Sequence, residues 1–160
     1  MTILRLDHRD AIPASLRGAI MALGNFDGFH LGHQAVAGEA LAWARAEGRP
    51  LVIATFDPHP VRHFKPDAEA FRLTTLDQRQ EIFGSFGADA MLVFHFDGAL
   101  AGMSPGDFVG LLADRLGAAG VVTGDDFTFG KGRAGNPQVL RELGMPVRTV
   151  GAVNEGGLPV

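Results

Sequence analysis

The sequence contains no cysteine, and this absence excludes several kinds of site. No disulfide framework, thiolate metal site or cysteine nucleophile can be built from this chain. No apolar run approaches the length of a membrane span, so we expect no membrane partner. The first ten residues mix charges with apolar residues and lack the apolar core of a signal peptide. These absences are compatible with a cytoplasmic protein, and we expect that location.

Basic residues are also few, because 14 Lys and Arg stand against 18 Asp and Glu, for a net charge of −4. The basic residues form no stripe along the sequence. This composition argues against a nucleic-acid partner, which requires a concentrated positive surface. It also means that an anionic ligand must be held by local features, because the overall field of the protein does not attract it.

Short apolar runs alternate with amphipathic stretches along the chain. Such alternation predicts an α/β fold with a mainly parallel five-stranded sheet and helices on both faces. A glycine stands at or just after the end of each predicted helix, where the left-handed conformation ends helices easily. The predicted strands are Ala19–Leu23, Leu51–Phe56, Ala90–Phe96, Ala118–Thr123 and Pro146–Val150, and the predicted helices are Leu31–Glu47, Leu76–Phe86, Pro105–Leu116 and Pro137–Leu143.

Residues 24–33, with the sequence GNFDGFHLGH, connect the first of these strands to the first helix. A helix N-terminus offers unpaired N–H groups and the positive end of the helix dipole, which together bind anions. Gly24, Gly28 and Gly32 leave room for a phosphate chain close to the backbone. His30 and His33 are three residues apart and therefore point to the same side of the helix. The pattern predicts two imidazoles beside a phosphate site.

The four residues His30-Leu31-Gly32-His33 resemble the H-x-G-H signature of nucleotidyltransferases, which join a nucleotide monophosphate to a phosphorylated acceptor. The longer string from Gly24 to His33 resembles the FAD synthase (FMN adenylyltransferase) domain of the bacterial bifunctional riboflavin kinase/FAD synthetase family. Three further segments agree with that family in the same order: residues 55–60 (TFDPHP), residues 103–109 (MSP followed by FV) and residues 124–130 (GDDFTFG).

The resemblance implies a Rossmann-like fold and transfer of AMP from ATP to FMN, with Mg²⁺ accompanying ATP and with FAD and pyrophosphate as products. The acceptor phosphate is already a nucleophile, so the reaction needs no activated side chain and rests on positioning and charge stabilisation. We expect the catalytic residues to be His30 and His33, which can donate N–H groups to phosphate oxygens. For Asn25 and Asp27 a turn-forming role competes equally with ATP binding. The expected ATP-binding residues are Gly24, Asn25, Phe26, Asp27 and Gly32.

The flavin side of the site is expected to involve Asp126, which occupies the Asn or Asp position of the family's G-x-[N/D]-F-x-F-G segment. There it either coordinates Mg²⁺ or hydrogen-bonds a ligand N–H. Phe127 and Phe129, together with Phe56, are either core residues or an apolar wall against a flavin ring. His59 either faces the phosphate or flavin from a loop or belongs to a metal site with its neighbours, an interpretation weakened by the flanking prolines.

Residues 130–135 (GKGRAG) match the G-x-G-x-x-G pattern of dinucleotide-binding loops. They stand well past the end of the predicted strand and precede only a short helix, so the context of that motif is missing. We interpret the segment as a glycine-rich loop in which Lys131 and Arg133 reach a ligand phosphate.

Two departures from the family pattern concern Leu100, where the family commonly has Phe, and the end of the chain. The family continues with an S/T-S-T-x-x-R segment where this sequence reaches Val160. We therefore expect residues 1–160 to be one nucleotidyltransferase domain truncated at its C-terminal end, followed by a riboflavin kinase domain in the natural full-length protein. Two alternatives remain open at this point. They are a nucleotidyltransferase with a different phosphorylated acceptor and a flavin- or nucleotide-binding module without turnover.

Overall fold

Runs of apolar and β-branched residues form a parallel sheet, which in the described part of the chain has six strands in the order β1-β4-β3-β2-β5-β6. All four residues of β2 are buried, as expected for a strand covered on both faces. The strands are β1 (Leu4–Asp7), β2 (Ile20–Leu23), β3 (Leu51–Asp57), β4 (Ala90–His95), β5 (Gly120–Gly124) and β6 (Val147–Val150). The computed structural model describes residues 3–24, 26, 29, 31–57, 74–95, 97–129 and 134–151.

The helices begin and end where capping residues favour it. Thr75 and Gln78 form a reciprocal capping box at the start of the second helix, and Asn136 caps the last one. Gly48, Gly87, Gly117 and Gly144 all have positive φ, which confirms the predicted stop signals. The helices are α1 (Leu31–Glu47), α2 (Leu76–Phe86), α3 (Gly98–Ala101), α4 (Pro105–Gly110), which continues as a π-helical turn over Leu111–Arg115, and α5 (Pro137–Glu142), with a 3₁₀ turn at Ala14–Leu16.

Each face of the sheet carries its own apolar core. The long helices α1 and α2 cover one face, where Phe83, Trp43 and Ile53 belong to the same buried cluster. The short helices α4 and α5 and the π-helical turn contribute to the core on the other face, where Leu112, Phe108 and Leu140 are buried. This arrangement confirms the predicted α/β class with helices on both faces of the sheet.

One strand was not predicted, because β1 is short and carries Arg5 and Asp7 among its four residues. Among the described residues it lies at the edge of the sheet and pairs only with β4, from Leu4 opposite Ala90 to Asp7 opposite Val93. In that part of the chain the sheet therefore has six strands in place of the expected five. An edge strand has one free side and so tolerates the charges that made its sequence look unlike a buried strand.

The strand order reverses beside β2, which pairs with β3 on one side and with β5 on the other. In parallel sheets ligands bind at such a switch point, outside the carboxyl ends of the strands. No helix among the described residues is both long enough and apolar enough to cross a bilayer.

Candidate active site

Three of the predicted site segments leave the sheet at its carboxyl edge. The GNFDGFHLGH turn follows β2, residues 124–129 include the end of β5 and the turn after it, and Asp57 ends β3. Ala22 of β2 lies opposite Val122 of β5, so the first two segments leave neighbouring strands. This pairing confirms that the two strands are neighbours, and the crevice expected between the two segments stays a prediction.

The described part of the chain contains about half of the predicted site residues. Gly24, Phe26, Gly32 and His33 lie in the first segment, and Asp126, Phe127 and Phe129 lie in the second. Both groups are near the β2/β5 switch point. The remaining predicted site residues lie outside the described residues, and their roles stay predictions: Asn25, Asp27, His30, His59, Lys131 and Arg133.

The turn after β2 has an unusual backbone, because two phenylalanines adopt the left-handed conformation. Phe26 has φ 52° and Phe29 has φ 43°, and such a conformation costs a residue with a side chain about 1–3 kcal/mol. Hydrogen bonds hold the turn in place: Gly24 N–H donates to the Ala54 carbonyl at 3.3 Å and Phe29 N–H donates to the Phe26 carbonyl at 3.3 Å. The Gln34 side-chain amide donates to the Phe29 carbonyl at 3.0 Å.

Aromatic packing accounts for this strained backbone. The Phe26 side chain is only 1% exposed, and its ring centroid lies 5.9 Å from that of Phe83 on α2. The Phe29 ring lies 5.5 Å from Phe83 and 5.3 Å from Phe86. The expected role of Phe26 in ATP binding is thus restricted to its backbone, since the ring is in the core. A Cβ on Gly24 would lie 3.1 Å from the Phe26 ring, so this glycine makes room for the ring.

The start of α1 is suited to an anion. Its first turn contains no acidic residue, so no carboxylate of that turn opposes the positive end of the helix dipole. Gly32 and His33 are partly exposed there. The His33 ring lies edge-on to the Phe26 ring, with centroids 5.4 Å apart and an angle of 83° between the planes.

The segment after β5 forms a tight turn at the carboxyl edge of the sheet. Phe127 N–H donates to the Gly124 carbonyl at 3.2 Å, and Asp125 N–H donates to the Val150 carbonyl at 3.1 Å. Asp126 is exposed, and no described residue forms a hydrogen bond or ion pair with its carboxylate. Within the described ranges, no group of three His, Asp or Glu side chains is arranged to bind a metal.

Phenylalanines lie behind this turn on the face opposite α1. Phe56 and Phe129 are buried and belong to the core, whereas Phe127 is partly exposed and packs against it. The Phe127 ring lies 5.8 Å from Phe129 and 6.3 Å from Phe56. Only Phe127 of these three therefore offers substantial ring surface toward a ligand.

The glycine-rich loop is closed at its base by a two-residue bridge. Phe129 N–H donates to the Gly135 carbonyl at 3.1 Å, and Gly135 N–H donates back to the Phe129 carbonyl at 3.0 Å. A Cβ on Gly135 would clash with the Phe129 ring. Lys131 and Arg133, which stand between these two bridged residues in the sequence, lie outside the described residues.

Arg79 is a site-adjacent residue that the sequence interpretation missed. It is only 3% exposed on α2, its Nη1 donates to Thr55 Oγ1 at 2.9 Å, and its Nη2 donates to the Thr74 carbonyl at 3.2 Å. These bonds attach α2 to β3 close to the carboxyl edge. The available signal was its position four residues before Phe83, which places both on the same face of α2.

A second group of titratable residues lies at the same edge but around β1 and β4. The Arg9 guanidinium holds the pKa of Asp7 at about 2, and burial lowers the pKa of His8. The Leu100 N–H, which donates to Asp97 at 2.9 Å, lowers the pKa of that carboxyl. Because β3 and β4 separate β1 from β2, this group is remote from the switch point.

Comparisons with known proteins identify the family of this chain. The family model described as FAD synthetase matches residues 12–160. A bifunctional riboflavin kinase/FMN adenylyltransferase from Escherichia coli K12 is 33% identical over 133 residues, covering 82% of this chain and 42% of that protein. A putative bifunctional riboflavin kinase/FMN adenylyltransferase from Geobacillus thermodenitrificans is 37% identical over 139 residues, covering 87% of this chain and 75% of that protein.

A solved structure described as a macrolide-efflux protein from Streptococcus pneumoniae superposes with a TM-score of 0.84 at 23% identity, covering 97% of this chain and 54% of that one. At that identity the likeness shows the fold alone. The chain spans about two fifths of the length of the E. coli relative. From the family match over nearly its whole length, the chain belongs to the FAD synthetase family.

Proposed function

We propose that this chain is an FMN adenylyltransferase, which transfers AMP from ATP to FMN to give FAD and pyrophosphate. The observation that carries the proposal is the adjacency of β2 and β5. The ends of these two strands, after which the GNFDGFHLGH and Gly124–Phe129 segments follow in the sequence, therefore lie side by side at the switch point. The family membership and the names of the relatives support the same activity.

The proposed chemistry needs positioning more than an activated side chain. The FMN phosphate attacks the α-phosphorus of ATP, a P–O bond to that phosphorus forms, and the bond to pyrophosphate breaks. His33, together with His30, donates N–H groups to phosphate oxygens, and the N-terminus of α1 holds the triphosphate. The side of the crevice next to α1 is therefore assigned to ATP, with Gly24, Gly32 and the Phe26 backbone as contacts.

The flavin is assigned to the other side of the crevice. Phe127 offers a partly exposed ring backed by Phe129 and Phe56, which suits one face of an isoalloxazine. In this arrangement the flavin ring lies beside the end of β5, and its phosphate points across β2 toward the α1 terminus. His59, Lys131 and Arg133 are proposed to contact the flavin or a phosphate from the two loops.

Mg²⁺ is proposed to accompany ATP. This ion is usually held by one or two carboxylates together with substrate phosphates and water, and the exposed carboxylate of Asp126 fits that limited requirement. When bound, the ion would neutralise phosphate charge. The alternative role of Asp126, a hydrogen bond to a flavin N–H, needs the same exposed position.

The test is FAD formation by the purified protein from ATP and FMN with MgCl₂, followed by chromatography. A parallel series offers other phosphorylated acceptors, and calorimetry measures the binding of ATP and of FMN. We expect FAD from FMN and little product from the other acceptors. Adenylylation of another acceptor in preference to FMN would identify a different nucleotidyltransferase, and binding without product would identify a module without turnover.

We further propose that a riboflavin kinase domain accompanies this domain in the natural protein, because the relatives are named as bifunctional and are longer than this chain. The cytoplasm is the proposed location, which is compatible with the absence of cysteine from the sequence. Detecting riboflavin kinase activity in the full-length natural protein would test the first of these proposals.

A further inference from the structure

We propose that Phe83 of α2 is a positioning residue for the proposed transfer reaction and that it acts on His33 through Phe26. The inference rests on the proposed function for its kinetic consequence. Its structural basis is independent, because it lies in the strained backbone of the turn and in the rings that surround it.

The Phe83 ring packs against Phe26 and Phe29, the two phenylalanines with positive φ. Phe83 is fully buried, and its ring lies 5.9 Å from Phe26 at 84° and 5.5 Å from Phe29 at 57°. A phenylalanine leaves the left-handed region unless its surroundings hold it there. Because the two rings fill the space beside Phe83, a return of either backbone to negative φ would withdraw a ring from the core.

The helix α2, which carries Phe83, is itself attached to the sheet. Four residues before Phe83, Arg79 donates to Thr55 Oγ1 on β3. At the other end of α2, Gly87 N–H donates to the Phe83 carbonyl at 3.2 Å. β3 is the neighbour of β2, from which the turn departs. The helix that holds the rings is thus anchored to the strand adjacent to the turn.

The packing of Phe26 in turn restricts the imidazole of His33. The edge-on contact between Phe26 and His33, with centroids 5.4 Å apart, limits the orientations of the His33 ring. Loss of the Phe83 ring should let Phe26 and then His33 move. Every group that contacts a substrate would keep its chemical identity. Because misplacement by about 1 Å can slow a reaction by about 100-fold, the effect should fall on kcat more than on KM.

The experiment compares Phe83→Leu with Leu112→Ala. Leu112 is fully buried in the core on the opposite face of the sheet, so its variant controls for destabilisation alone. We expect Phe83→Leu to lower kcat by about 10-fold or more with KM for ATP and FMN within about 3-fold. Leu112→Ala should keep kcat at a temperature well below its unfolding midpoint. Phe86→Leu, at a partly exposed position that contacts Phe29 of the turn, is a milder second variant.

The second readout is the NMR titration of the His33 imidazole, assigned with His33→Asn. We expect Phe83→Leu to shift the His33 ring resonances and their titration midpoint. An unchanged His33 titration, or a kcat equal to that of the wild type, would overturn the inference. If the wild type makes no FAD, the proposed function fails. The NMR comparison then decides the positioning role separately.

Discussion

The Nδ1 atom of His8 accepts a hydrogen bond from the backbone N–H of His95 at 3.0 Å. This bond requires an unprotonated Nδ1, so the folded protein favours the neutral imidazole. The ring is buried and stacks on Phe94 with centroids 5.6 Å apart. The titratable groups around it are Asp7, Arg9, Asp97 and His95. Burial outweighs the two carboxylates and lowers the pKa of His8 from its ordinary value of 6.5.

We expect the folded state to lose stability as the pH falls below about 6.5. A group whose pKa is lower in the folded state binds its proton more readily in the unfolded state. Its contribution to the stability of the folded state is therefore complete above the ordinary pKa and is lost as the pH falls. Asp7, with a pKa of about 2, also has a lowered pKa in the folded state. Its contribution to stability is lost only as the pH falls below about 4. Urea unfolding at pH 7.5 and pH 5.5 separates the two effects.

The matched variants for this test are His8→Asn and His95→Gln. In His8→Asn the amide oxygen of the new side chain can still accept from the His95 N–H without titrating, so we expect a smaller loss of stability between the two pH values. His95→Gln keeps the backbone donor and alters an exposed side chain, so it should retain the wild-type loss. An equal loss in His8→Asn and wild type would assign the pH dependence to other groups.

His33→Ala should lower the rate of FAD formation by about 100-fold or more, by analogy with removing one donor that stabilises transition-state charge. His30→Ala is expected to have an effect of the same size. Folding should change little, because His33 is partly exposed at the start of α1. The measurement is turnover at saturating ATP with His95→Gln as control. Near-normal turnover in both variants would contradict the two-imidazole mechanism.

Asp126→Ala should impair the use of FMN or Mg²⁺ more than it impairs ATP binding. The neighbouring variant Asp125→Ala removes the same charge at another exposed position and serves as the control. Steady-state KM values for FMN, ATP and MgCl₂ measure the difference. Small and equal effects in the two variants would give Asp126 a structural role in the turn.

Gly120→Ala should destabilise the protein by about 1–3 kcal/mol, the usual effect of overpacking a core. A Cβ at this position would clash with the Trp43 ring, which is buried between α1 and the sheet. Gly106→Ala is the control, because a Cβ there meets no atom within 4 Å. Thermal unfolding of both variants tests the packing of α1 on β5. Equal midpoints would show that Trp43 can move aside.

The elements with local signals were predictable from the sequence. α1 and α2 have the predicted boundaries, because a glycine with positive φ follows each helix and a capping box begins α2. The helix expected over residues 105–116 was confirmed in outline, although its second half is π-helical. β1 was missed because it is only four residues long and half of them are charged, so a strand at this position depends on its pairing with β4.

The two segments that leave β2 and β5 could be singled out from the sequence, but their packing could not. The resemblance identified the turn and the segment after β5, whereas the left-handed backbone of Phe26 has no signature, since phenylalanine rarely adopts it. Likewise, nothing near Arg79 in the sequence reveals its bond to Thr55, 24 residues away. Such features arise from tertiary contacts and need the fold before they can be recognised.

The central position of β2 in the sheet predicts the pattern of amide hydrogen exchange. β2 is protected by neighbouring strands on both sides, whereas β1 and β6 are at the edges and can open by local fraying. The amides of β2 should therefore exchange among the slowest in the protein, through global unfolding. Because the turn that carries His33 begins directly after this strand, we expect the site to keep its geometry in mild denaturant until the whole sheet unfolds.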